Sequence, residues 1–134
     1  MLKKTIKYMD YNGVERTEDF YFNLSKAELT EMELSTTGGY AEMLIKIGES
    51  EDHTKIVPII KEIIFKAYGE KSEDGKRFIK SPELSTSFSQ TEAYSELFME
   101  IATDADASAA FVNGIIPNDI QQQVAAQQPT LTTI

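Results

Sequence analysis

Apolar residues are densest over residues 55–69, KIVPIIKEIIFKAYG. At a helical period Ile56, Ile60, Ile63, Ile64 and Ala67 share one face, with Val57, Ile59 and Tyr68 on its flanks. Lys55, Glu62 and Lys66 fall opposite, and Lys61 lies at the border. The apolar arc spans roughly half the circumference, so the pattern predicts a deep helix covered by several neighbours. Burying each of its large side chains contributes about 1.5–3 kcal/mol. Pro58 either stands near the start of regular helix or bends its first turn. Gly69 reads as the residue that stops it.

Upstream, the period changes from helical to alternating. In residues 3–9, Thr5, Lys7 and Met9 face one way, and Lys4, Ile6 and Tyr8 the other. Asn12-Gly13 is a hairpin signal, since both residues tolerate positive φ. The return strand is 14–22, with Phe20 and Phe22 on one face and Tyr21 on the other. A hairpin alone is marginal, so these aromatics must pack on helices or on another chain. Ser25 and Glu28 then form a capping box, with Leu24 and Leu29 as its hydrophobic staple. Leu29, Met32 and Leu34 supply the inner face of that helix. A second helix is predicted over 40–48, with Met43, Leu44 and Ile47 as its apolar set.

Downstream of the central helix, 70–80 reads as a small hairpin or ordered loop with Asp74-Gly75 at its tip. Ser81 and Pro82 open a short helix over 82–88. Thr91 caps another over 92–103, in which Tyr94, Leu97, Phe98 and Ile101 keep helical spacing. Asp104 or Asp106 caps a last helix over 105–113, and Asn113-Gly114 ends it. The fold expected is α+β: an N-terminal β-hairpin, then a mainly α-helical bundle around the central apolar helix. Residues 1–117 form the one domain expected. Residues 118–134, rich in Gln, Ala and Thr, read as a flexible low-complexity tail.

Composition narrows the chemistry. The net charge of −9 argues against nucleic-acid binding and points to a neutral or basic partner surface. There is no cysteine, which excludes disulfides, thiolate catalysis and cysteine zinc sites and makes an intracellular setting the default. No apolar run approaches the roughly 18 residues of a membrane span. The start, MLKKTIKYMD, lacks the apolar core of a signal peptide. Gly38-Gly39 is not followed by the Lys and Ser/Thr of a phosphate loop. Glu28, Glu31 and Glu33 read as a solvated acidic face rather than a metal cluster. His53 is the only histidine and reads as a residue at a helix start. An enzyme needs a convergent polar constellation, and the chain offers scattered carboxylates instead. No cofactor or metal is expected.

Three strings carry a resemblance: KKTIKYMDYNGVERTEDFYFNLSKAELTEMELS, KAYGEKSEDGKRFIKSPEL and FSQTEAYSELFMEIATDADASAAFVNGIIP. Over residues 3–117 the chain resembles small tail assembly chaperones encoded by tailed phages and prophages of Gram-positive bacteria. Residues 118–134 fall outside that resemblance. It implies a non-enzymatic protein of the host cytoplasm that coats the apolar, helical tape-measure protein and recruits tail-tube protein. It also implies a longer product made by translational frameshifting. The alternative is a virion structural protein, either a head decoration or a tail-associated component. Met32, Met43 and Met99 are candidates for an adaptable groove, beside the plainer role of filling the core. Phe20 and Phe22 are the further candidates for partner binding. The N-terminal strands could pair between copies to give a homo-oligomer.

Overall fold

A computed structural model describes residues 1–35 and 53–117. The predicted helix over 40–48, with Met43, and the predicted tail over 118–134 lie outside the described residues. The alternating stretch forms β1 (Leu2–Met9) and β2 (Glu15–Phe22), antiparallel, with Leu2 opposite Phe22 and Met9 opposite Glu15. The turn between them is built differently from the expected two-residue one. Only Gly13 takes positive φ, at 78°, and Asn12 does not. The Gly13 N–H donates to the Asp10 carbonyl at 3.0 Å, closing a four-residue turn, and the Asp10 N–H reaches the Val14 carbonyl at 2.9 Å. The Asp10 carboxylate locks the turn by accepting from the N–H groups of Asn12 and Val14 at 2.9 and 3.0 Å.

The hairpin expected over 70–80 is present and does more than predicted. Its strands, β3 (Tyr68–Lys71) and β4 (Phe78–Ile79), extend the first hairpin into a four-stranded antiparallel sheet in chain order. The junction is short: Tyr21 lies opposite Gly69 and Phe22 opposite Tyr68. Gly69 therefore sits in a strand instead of ending the helix. A Cβ there would stand 2.7 Å from the Ile79 carbonyl oxygen and 2.8 Å from the Phe78 ring, so only glycine lets β4 close.

Five helices complete the described residues: α1 (Lys26–Ser35), α2 (His53–Ala67), α3 (Pro82–Ser89), α4 (Glu92–Thr103) and α5 (Ala105–Ile115). Their starts follow the caps read from the sequence. The Ser25 N–H donates to Glu28 at 2.9 Å and the Glu28 N–H to Ser25 Oγ at 3.2 Å, both halves of the capping box. Ser81, Thr91 and Asp104 accept from Leu84, Tyr94 and Asp106 respectively. Pro58 lies inside α2, on its exposed side. Helix α5 runs past Asn113-Gly114 to Ile115, where tertiary contacts hold it. Leu2 packs against Gly114, whose Cβ would lie 2.8 Å from the Leu2 side chain. The Ile115 carbonyl also accepts from the Leu24 N–H at 2.8 Å.

The core lies between the helices and one face of the sheet. Ile60, Ile63, Ile64 and Ala67 of α2 are buried, as the helical period predicts. Phe22 is fully buried and its ring meets those of Tyr68, Phe88 and Phe111 at 5.3–5.8 Å between centroids. Phe88 of α3 stacks on Tyr68 at 4.3 Å and touches Phe20 at 5.1 Å.

Candidate interaction surface

Pleating splits the sheet residues into two rows. Leu2, Lys4, Ile6, Tyr8, Phe20, Phe22 and Tyr68 point toward the helices, where Lys4 pairs with Glu100 of α4 at 3.0 Å. Lys3, Thr5, Lys7 and Met9 of β1, and Glu15, Thr17, Asp19 and Tyr21 of β2, point the other way. On that side every contact among the described residues stays within the sheet. Lys7 pairs with Glu15 at 2.7 Å, Thr5 donates to Asp19 at 2.6 Å, and the Lys71 ammonium lies 4.4 Å from the Tyr21 ring centre. All five described helices lie on the opposite face, so this one is open among the described residues.

The register also fixes where backbone groups point. The Asp10 to Val14 bond, with the alternation of antiparallel ladders, turns the even residues of β1 and β2 toward each other. The odd residues turn outward. Those of Tyr21 in β2 and of Asn23 just after it face β3 and α2, and the Asn23 N–H reaches the Ala67 carbonyl at 2.8 Å. Among the described residues, those of Glu15, Thr17 and Asp19 have no strand beyond them, because β3 leaves β2 after Gly69. The divergence opens a cleft of about 310 Å³ lined by Glu18 to Tyr21 and Tyr68 to Lys71. Those of Lys3, Thr5 and Lys7 lie on the outer edge of β1, the first strand of the sheet.

Polar contacts hold this frame rigid. Arg16 Nε meets the Asp10 carboxylate at 2.6 Å, and that bond with the turn N–H groups keeps Asp10 below the usual carboxylate range. Tyr8 donates to Glu18 across the inner face, which raises the phenol. Tyr11, 76% exposed at the hairpin tip, has its phenol raised by the Glu92 carboxylate at the start of α4. Lys80, just after β4, donates to Glu28 and to the Asn23 carbonyl, both at 2.6 Å. Burial pushes the Glu28 carboxyl up, but Lys80 and the Ser25 N–H outweigh it and hold it below the usual range. Glu28 is thus a half-buried structural partner, while Glu31 is exposed. Among the described residues no group of three His, Asp or Glu side chains is placed to hold a metal, and no helix is long and apolar enough to cross a membrane.

The residues picked out from the sequence for partner binding are not brought together. Phe22 and Met32 lie in the core, and Phe20 is half-buried against it. Met99 is 54% exposed on α4, between Glu96 and Glu100. Met43 lies outside the described residues. Sequence reasoning missed Lys80, whose partners are distant in the chain; it named the N-terminal strands as able to pair between copies, but not which of their residues turn outward. The edges had one signal, the alternation of Lys3-Thr5-Lys7 and Glu15-Thr17-Asp19.

No curated protein and no solved structure matches the chain. A family model described as phage tail assembly chaperone matches residues 1–133, and so runs on past Pro117, where the resemblance read from the sequence stops. Over nearly its whole length the chain belongs to the phage tail assembly chaperone family.

Proposed function

We propose that the protein is a non-enzymatic chaperone that binds the phage tape-measure protein in the host cytoplasm and recruits tail-tube subunits. Family membership over residues 1–133 is the observation that carries this reading. The surface chemistry is compatible with an amphipathic helical partner. The flexible thioether of Met99 adapts to varied apolar side chains, and the exposed Glu96 near it suits a basic flank. Phe20, Phe22, Met32 and Met43 remain in the proposed set of partner-binding residues.

The test is co-expression with the tape-measure protein of the same phage, pull-down, and mass spectrometry of purified virions. The wild-type chain is expected to capture the tape-measure protein and to be absent from virions. Met99→Glu should cut capture by roughly tenfold or more while leaving the melting temperature unchanged, as loss of an interface anchor does. High copy number in virions without tape-measure binding would replace this reading with that of a head decoration or tail-associated component.

A further inference from the structure

The cleft at the fork of β2 and β3 is acidic, and a buried polar group in it is left unanswered. Glu18, Asp19 and Glu70 line it against a single cation, Lys71. Lys71 turns to the open face, where its ammonium lies over the Tyr21 ring, and Asp19 accepts the Thr5 hydroxyl on that same face. Glu18, Phe20, Tyr68 and Glu70 alternate with these residues along the two strands and stand on the helix-facing side. Tyr68 is only 8% exposed, its ring stacked on Phe88 at 4.3 Å and packed on Phe22 at 5.7 Å. Its hydroxyl nevertheless has no hydrogen-bond partner among the described residues. Burial raises that phenol, and the charges of Glu70 and Glu18 raise it further, which places both carboxylates near the hydroxyl. Tyr8 holds one oxygen of Glu18, and Glu70 has no partner among the described residues.

We propose that this cleft binds an arginine side chain of a partner protein. Three acceptors converge in it: the Glu70 carboxylate, the second Glu18 oxygen and the Tyr68 hydroxyl oxygen. A guanidinium carries five N–H donors in one plane, so one group can serve all three, and it gives up its hydration more readily than an ammonium. Its charge answers carboxylates whose one neighbouring cation is spent on Tyr21. The same carboxylates repel a phosphate or an acidic side chain.

The size and walls of the cleft argue for arginine over a small free cation. About 310 Å³ is more than the charged head needs. The rings of Phe20 and Tyr68 give the methylene stem an apolar wall to lie against, and a flat cation stacks well on such rings. The inference rests on the cleft and not on the chaperone reading.

The test is ligand-observed saturation-transfer NMR on the full chain. The probe is the blocked tripeptide acetyl-Gly-Arg-Gly-amide. It is expected to bind saturably at roughly millimolar concentration, as suits one small anchoring group. The matching lysine peptide should bind about threefold more weakly or worse. The citrulline peptide keeps the shape without the charge, and methylguanidinium keeps the charge without the stem. Each should lose roughly tenfold or more. Glu70→Gln should weaken the arginine peptide about tenfold, and Tyr68→Phe, which keeps the stack on Phe88, about threefold, both with an unchanged melting temperature. Glu31→Gln removes an exposed carboxylate outside the cleft and should leave binding as it is, which separates the site from the general attraction of an acidic chain. No saturable signal up to about 20 mM arginine peptide overturns the proposal. So does equal binding of the lysine or citrulline peptide or of methylguanidinium, or a folded Glu70→Gln that binds as wild type.

Discussion

Single residues hold the joints between segments that are far apart in the chain. Gly69 is the tightest of them, because the Ile79 carbonyl and the Phe78 ring occupy the space of any side chain. Gly69→Ala is expected to destabilise the protein by about 1–3 kcal/mol, the usual cost of overpacking, and thermal denaturation would show a loss of several degrees. Glu28 is a second joint, and it makes stability depend on pH. Its carboxyl titrates below its ordinary value of 4.5 in the folded chain. Its contribution is therefore complete above that ordinary value and is lost as pH falls through the folded one. Melting temperatures measured from pH 7 to pH 3 should fall at the acid end, and Glu28→Gln should start lower at neutral pH and fall less. Neither joint was legible beforehand. A glycine after a helix reads as a stop whether or not a ring later covers it. A lysine after a short strand shows nothing of a carboxylate 52 residues away.

At the scale of elements, most of the fold was legible because its signals are local. A capping box joins residues three apart, an apolar face repeats every three or four, and a hairpin needs only one turn. Hence the starts of α1, α3 and α4 and the buried face of α2 agree with the sequence. Ser25→Ala tests the clearest of these signals. It removes the side-chain half of the box and should cost about 1 kcal/mol in chemical denaturation. What the local pattern missed is the joining of the two hairpins, which rests on two residue pairs, Tyr21 with Gly69 and Phe22 with Tyr68. It also missed the last two residues of α5, which Leu2 and Leu24 hold from the far end of the chain. The candidate surface divides in the same way. The exposed Met99 could be named from spacing, whereas an open edge exists only once every helix has settled on one face.

In the whole molecule, one ring ties the layers together. Phe22 belongs to the sheet and meets aromatics of β3, α3 and α5, so its loss would empty the centre of the core. Phe22→Ala should cost about 3–5 kcal/mol, a large part of the roughly 5–15 kcal/mol that holds such a domain, and urea titration would show it as a lowered midpoint. The contact of Phe22 with Phe111, and of Leu2 with Gly114, has a further consequence for how the chain comes to be made. The first strands are translated well before α5, the helix that completes their cover. Until α5 emerges, Phe22 lacks the ring of Phe111 and Leu2 lacks its seat on Gly114, and the nascent chain carries a partly uncovered apolar patch. Folding therefore cannot be complete before α5 has been made, and a product truncated before residue 105 would be expected to remain open and vulnerable to proteolysis.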